Sequence, residues 1–348
     1  MTIFDRLDPV KQQVAGVGSA LVDILAREDD AFLHAVGALK GGMTYVDVAF
    51  IEDIIQKMST PPQVVPGGSA CNTVVGIGQL GGKARFVGKC GNGPMGRLLR
   101  DDLAQKGVES LLFGSDSPTG RVLSIVTPDA QRSMFTFLGA SAEARPDEMT
   151  PGCFVDAAVV HIEGYLLFNP DLIMAALTAA RQAGALVSLD LASFNVVTEA
   201  RDILPDLIAQ NVDILMANED EAFAYTGIRD VHEAVRVMAK GVGIAVLKVG
   251  AKGSLVAHDG CVLTVKAKGD GRAVDTTGAG DLWASGFLYG LVQRLPLEQC
   301  AELGSACGYE VCQVMGATIP EARWKIIHNH RRRNGQETLK PQGVDQGT

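Results

Sequence analysis

The chain has 348 residues, of which 47% are hydrophobic and 20% charged, so one large α/β unit or two ordinary domains with an extensive core can form and bulk disorder is excluded. A net charge of −9 lacks the positive field that nucleic acid or an anionic membrane would need in a main partner. The seven cysteines form no C-x-x-C pair and no zinc spacing with the six histidines, no run reaches the roughly 18 apolar residues of a membrane span, and acids come early at the N-terminus, which fits free thiols and a cytoplasmic protein.

In chain order, the first strand-like run covers 13–18 and ends in Gly18-Ser19, shortly before Asp23. The stretch 39–50 is followed by the glycine-bearing segment Pro66-Gly67-Gly68-Ser69-Ala70-Cys71-Asn72-Thr73. Gly76-Ile77-Gly78-Gln79-Leu80-Gly81 satisfies G-x-G-x-x-G, but it does not open a helix after a first strand. It reads as the body and end of a helix stopped by Gly81-Gly82. Two runs, 121–127 and 133–138, flank the turn Pro128-Asp129-Ala130-Gln131, and the second alternates Met134, Thr136 and Leu138 against Phe135 and Phe137. They predict a hairpin, either a small sheet standing off the core together with 39–50 or edge strands of the main sheet. Near-continuous apolar strands then recur at 157–162, 186–191, 212–216 and 244–249, with amphipathic stretches at 171–183 and 231–240 between them. That pattern suits a parallel sheet covered on both faces. The chain closes on a basic cluster, Arg331, Arg332 and Arg333 with His328 and His330, read as a solvated tail.

The strongest chemical signal is Asp275-Thr276-Thr277-Gly278-Ala279-Gly280-Asp281 at the start of a helix-like run. Small residues let the backbone approach a phosphate, and the amides of Gly278, Ala279 and Gly280 at a helix N-terminus would stabilise a transferring phosphoryl group. A carboxylate repels phosphate, so Asp281 is better explained as a proton acceptor beside that anion hole. No G-x-x-x-x-G-K-[ST] is present, which excludes a P-loop.

Asp275 to Asp281, continued by Leu282-Trp283-Ala284-Ser285-Gly286-Phe287-Leu288, resembles the C-terminal signature of the ribokinase-like (PfkB) kinases, and the segment from Pro66 resembles their N-terminal signature. The resemblance implies a central, mostly parallel β-sheet flanked by helices, a small β-sheet lid over the acceptor, and transfer of the ATP γ-phosphate to an alcohol. It implies a core from 1–38, 52–110 and 141–330, a lid from 39–51 and 111–140, and a polar tail over 331–348. Asp23 then matches the acceptor-binding aspartate, able to accept hydrogen bonds from two neighbouring sugar hydroxyls. Gly67, Gly68 and Asn72 match the sugar-contacting loop. Asn218-Glu219-Asp220-Glu221 resembles the N-x-x-E element, placing Asn218 and Glu221 beside the nucleotide, with Glu221 holding Mg²⁺ through water. Lys248, Gly250 and Gly253 match the nucleotide-side glycine turn, and a K⁺ site is implied near Asp275 and Thr277.

Outside the signatures, Lys40-Gly41-Gly42-Met43, the run from Arg132 to Ala140 and Glu163-Gly164-Tyr165-Leu166 look most similar to the adenosine-kinase-like branch. Tyr165 would stack on a purine and Phe135 or Phe137 would close over it from the lid. Two departures bear on the acceptor: Ser19 stands where that branch usually carries Asn, and Gly91-Asn92-Gly93-Pro94-Met95-Gly96 lacks the usual Asp. The expectation is an ATP- and Mg²⁺-dependent kinase, monomer or homodimer, acting on a ribonucleoside. A monosaccharide such as ribose or fructose is the rival acceptor, and a non-catalytic sensor on the same fold the rival class.

Overall fold

The computed structural model describes residues 3–37, 40, 43–129 and 132–337, with side chains for all of these except 43, 132 and 330–337. Fourteen strands are described: β1 Gln13–Val17, β2 Leu21–Arg27, β3 Met43–Tyr45, β4 Gln63–Gly67, β5 Lys83–Gly91, β6 Val108–Ser115, β7 Thr119–Val126, β8 Arg132–Gly139, β9 Ala157–Glu163, β10 Leu186–Asp190, β11 Ile214–Asn218, β12 Ile244–Lys248, β13 Ser254–His258 and β14 Cys261–Val265. They form a nine-stranded sheet of order β14-β13-β12-β11-β10-β9-β1-β5-β6 and a five-stranded sheet of order β3-β8-β7-β2-β4. Strands β12 through β6 of the large sheet are parallel, and β13 and β14 continue it antiparallel.

The apolar strands read from the sequence are buried on both faces because neighbouring residues serve opposite cores. Val14, Val159 and Val246 pack on one side with the helices Ser69–Gln79, Ala279–Val292 and Leu297–Val311, while Ala15, Val160 and Leu247 pack on the other with Pro170–Gln182. The chain leaves β1 toward β5 and β6 on one side and later adds β9 to β12 on the other, so the order reverses at β1 and β9. In open α/β sheets such a reversal opens a crevice at the carboxyl ends of the strands, where ligands bind.

The hairpin is antiparallel, Val126 opposite Arg132 and Thr119 opposite Gly139, and it belongs to the smaller sheet rather than to an edge of the large one. That sheet has its own small core of Ile24, Leu33, Ile51, Ile54, Leu123, Ile125 and Phe135. The division between core and lid differs from expectation. Strands β2 and β4, expected in the core, pair within the small sheet, whereas residues 111–115, expected in the lid, continue β6 beside β5. A mostly apolar seven-residue strand such as β2 fits either sheet, and only its partners decide. The tail differs too: a helix runs Glu321–Glu337, so the backbone of Arg331 to Arg333 is helical, while 338–348, Gly41, Gly42, Ala130 and Gln131 lie outside the described residues. The G-x-G-x-x-G segment lies in the helix Ser69–Gln79 and its end, as read, and a Cβ on Gly76 would lie 2.3 Å from Ser285 Oγ, so that glycine serves helix packing.

Candidate active site

A cavity of about 1440 Å³ lies along the carboxyl ends of the parallel strands and under the small sheet. Its polar groups occur where apolar strands end: Ser19 just past β1, Glu163 at the end of β9, Asp190 of β10, Asn218 of β11 and Lys248 of β12. A strand buried on both faces offers a charged side chain most room at its end, and these positions accordingly gather in one place.

The loop before the helix Ala279–Val292 closes on itself. Asp275 accepts hydrogen bonds from the Thr277 amide at 2.9 Å and hydroxyl at 2.7 Å, and from the Gly316 amide at 2.8 Å. Gly278 takes φ 73° as the helix N-cap, a conformation that suits glycine, and a Cβ there would lie 2.6 Å from that of Ala317. The Ala279 amide donates to the Thr276 carbonyl at 3.1 Å, so it is committed inside the turn and the expected three-amide anion hole loses it. No described hydrogen bond uses the amides of Gly278 or Gly280. A Cβ on Gly280 would lie 3.1 Å from Lys248 Nζ, which sets the Lys248 ammonium against this helix start.

Asp281 stands in the first turn, half-buried, with Oδ1 accepting from Ser69 Oγ at 2.8 Å and Oδ2 from Asn72 Nδ2 at 2.9 Å. Burial pushes its carboxyl up to about 6 despite these two donors. The two sequence signatures, more than 200 residues apart (|i−j| is 209 for Asn72 and Asp281), thus meet at one carboxylate. Lys248 Nζ donates to Asp190 Oδ2 at 2.6 Å; burial works against its charge, but the Asp190 and Glu221 carboxylates hold its pKa above the ordinary lysine value. Glu221 closes a capping box with Asn218, accepting from its amide at 2.8 Å and its Nδ2 at 2.6 Å. Burial and then the neighbouring Asp190 raise its pKa. Gly250 (φ 54°) and Gly253 (φ 110°) turn the chain after β12 and line the same end of the cavity.

At the other end, Asp23 projects from β2 into the cavity. Gly67 on the adjacent β4 makes room for it, since a Cβ there would lie 2.4 Å from Asp23 Oδ2. Ser19, Gly68, Asn72 and Tyr165 also line this end. Phe135 and Phe137 do not. Phe135 is 4% exposed with its ring 5.4 Å from that of Phe50, and Phe137 packs on the same small core. Side chains alternate across a strand, so β8 turns Met134, Thr136 and Leu138 to the cavity and the two phenylalanines away. The alternation was legible, but aromaticity favoured the wrong face. Tyr45, aligned with Thr136 on parallel β3, supplies an aromatic ring to the cavity instead. Sequence reasoning also missed Ser69, Glu163 and Asp190; the last two are carboxylates closing apolar strands, a signal available in the sequence.

The chain matches the pfkB family carbohydrate kinase domain over residues 42–324. Among solved structures, a probable sugar kinase from Rhizobium etli is 33% identical with a TM-score of 0.84, and the adenosine kinase of Sinorhizobium meliloti is 32% identical with a TM-score of 0.83; each comparison covers 92% of this chain and 99% of the other. A fructokinase of Klebsiella pneumoniae is 30% identical over 271 residues, 74% of this chain and 86% of its own length. No described helix is long and apolar enough to cross a membrane. A matching family domain over most of the chain, with both signatures converging on Asp281 in the main cavity, makes this protein a member of the pfkB family, an ATP-dependent kinase that phosphorylates a hydroxyl group.

Proposed function

We propose that this kinase phosphorylates the 5′-hydroxyl of a ribonucleoside, adenosine first, using Mg·ATP. The observation that carries the reading is the acceptor end of the cavity. Beyond Asp23, it is walled by Leu21, Tyr45, Val122, Met134, Leu138 and Tyr165 with Ser124 and Thr136 among them, a mostly apolar enclosure of which a monosaccharide would use little and a flat purine much. The likeness to an adenosine kinase at 32% identity supports the same acceptor. The rival, a monosaccharide, is favoured by the fructokinase relative and by Ser19 in place of the branch's Asn.

In the proposed reaction Asp23 accepts hydrogen bonds from ribose hydroxyls. Asn72 spends one N–H on Asp281 and keeps its oxygen and second N–H for the sugar. The small sheet acts as a lid that excludes water. Asp281, ionised above about pH 6, takes the hydroxyl proton as the oxygen attacks the γ-phosphorus in line. The amides of Gly278 and Gly280 with the Lys248 ammonium meet the charge that develops on the phosphoryl oxygens.

The donor set fits a divalent ion held through water. Among the described residues no group of three or more His, Cys, Asp or Glu is placed to grip a metal, while Glu221 and Asp190 offer carboxylates in the cavity wall. Mg²⁺ there would neutralise phosphate charge. The K⁺ site expected near Asp275 and Thr277 is not carried into the proposal; Asp275 there accepts hydrogen bonds from Thr277 and Gly316. ADP release measured with adenosine, other nucleosides, ribose and fructose tests the acceptor. The highest kcat/KM is expected for adenosine, and saturable turnover of ribose or fructose with none of any nucleoside would overturn the nucleoside reading.

A further inference from the structure

The cavity's most buried carboxylate has no part in the reaction described above. Glu163 ends β9 with 1% exposure, and its two oxygens each accept one backbone amide: Oε1 from Ser19 at 2.7 Å, Oε2 from Ala70 at 3.0 Å. Ser19 and Ala70 lie 144 and 93 residues away in the chain and belong to the two segments that bracket the acceptor end of the cavity.

We propose that Glu163 is a positioning residue of the acceptor site, a buried clamp that fixes the loop carrying Ser19 and leading to Asp23 against the first turn of the helix Ser69–Gln79. Because that turn also carries Ser69 and Asn72, the same clamp sets the two donors that hold Asp281. The inference rests on the reading of Asp23 and Asp281 given above, but not on which acceptor is bound.

Three observations support it. The N-cap of the helix Ser69–Gln79 is Gly68, which offers no side-chain acceptor to the first turn, so Glu163 caps that helix from another strand and places its anion at the favourable end of the helix dipole. The fit leaves no room for side chains: a Cβ on Gly18 would lie 2.2 Å from Glu163 Oε2, and one on Gly68 would lie 2.3 Å from the Ser19 carbonyl oxygen. Both partners are N–H donors, so the position demands a group that only accepts. A glutamine of the same size would turn its NH₂ toward one of the two amides.

The clamp also has a pH dependence. Burial pushes the Glu163 carboxyl up to about 7, opposed by the Ala70 and Ser19 hydrogen bonds and aided by the Asp281 charge. The ionisable groups near it are Asp190 of β10, paired with Glu163 in the sheet and bonded to Lys248, Asp281 on the helix Ala279–Val292, Tyr165 after β9, and Cys71 on the helix Ser69–Gln79, which also feels Asp23 of β2. A proton on Glu163 converts one acceptor into a donor facing an amide, so the clamp loosens as pH falls through about 7.

The test is steady-state kinetics of Glu163→Gln with both substrates over pH 5 to 9, using whichever acceptor the wild-type enzyme turns over. The acceptor KM is expected to rise on the order of tenfold to a hundredfold, the loss of a charge-assisted hydrogen bond and a mispaired amide. The KM for Mg·ATP should stay within about twofold, as its binding groups lie at the other end of the cavity. In the same variant the acid limb of acceptor kcat/KM near 7 should weaken to the part that Glu221, also raised to about 7, contributes, with the lower limb near 6 that belongs to Asp281 kept. Equal rises in both KM values, or an unchanged limb near 7, would overturn the proposal. Should Glu163→Gln fail to fold, Glu163→Asp keeps the anion on a shorter arm. It should show an intermediate acceptor KM with the limb near 7 retained, and an equal loss for ATP would again overturn it. A fully active Asp281→Asn enzyme would sink the base assignment alone, since the Glu163 effect is read in acceptor KM and its own pH limb.

Discussion

The carboxyl edge of the large sheet and the inner face of the small sheet form one cavity by different means. Along the large sheet the site consists of strand ends and helix starts: Asp190 under Lys248, Glu221 locked to Asn218, Asp281 held by Ser69 and Asn72. Each group there is fixed by a hydrogen bond of 2.6–2.9 Å, and glycine turns bring the backbone itself to the cavity. On the small sheet the cavity wall is one face of strands whose other face is that sheet's own core. Leu138 and Met134 face the cavity while Phe135 between them is buried behind. On the proposed reading, phosphoryl transfer depends on chemistry fixed by local motifs, whereas acceptor choice depends on strand register, where a shift of one residue would exchange every side chain.

The most severe break should come from Asp281→Asn, which keeps the volume and removes the basic carboxylate. A fall in kcat on the order of 10²–10⁴-fold is expected, with both KM values within a few-fold. Full activity in a coupled ADP-release assay would remove Asp281 from the mechanism. On the small sheet's side, Asp23→Ala should raise the acceptor KM on the order of tenfold or more through lost charged hydrogen bonds, and leave Mg·ATP binding by calorimetry nearly unchanged. A matching loss of ATP affinity would mean that the two ends are not separable.

The contrast between the two faces of β8 can be sharpened by a pair of variants. Phe135→Ala empties a core position and should cost about 3 kcal/mol or more, seen as a lowered Tm, with only an indirect effect on the acceptor. Leu138→Ala should raise the acceptor KM a few-fold at nearly unchanged Tm. The reverse pattern would put the phenylalanines on the ligand side.

The smallest expected effect is on stability with pH. Glu163 and Asp281 have carboxyls raised by burial to about 7 and about 6, so the folded chain holds protons that the unfolded chain releases from about 4 upward. Their contribution is complete below the unfolded values and is lost as pH rises through the folded ones. Tm should therefore decline between pH 5 and 8, most steeply between about 5 and 6, where both groups are still largely protonated in the folded chain and ionised in the unfolded one. A Tm that climbed over that window would show that these carboxylates are not held up by burial.

Much of the large sheet was legible because its signal is local. A run such as 244–247 is apolar throughout, short and flanked by Gly243 and Gly250, which suits a buried strand, and Gly278-Ala279-Gly280-Asp281 carries both a compact glycine backbone and a carboxylate within a few residues. Ser69 and Asn72 were quoted as a signature, but nothing in their own segment says that they hold Asp281. The assignment of β2 and β4 to the small sheet was not legible, since hydrophobic strands of that length pair wherever partners are offered.

The sequence by itself determined the layered α/β class and the helix start at Gly278 with a carboxylate in its first turn, because conformational preference and charge act within a few residues. Tertiary structure alone decided which side of β8 faces the cavity, that the Ala279 amide is spent inside its own turn, and that Glu163 joins Ser19 to Ala70. Those outcomes depend on register and on burial energies summed over segments that lie far apart in the chain, and no local pattern encodes such a sum.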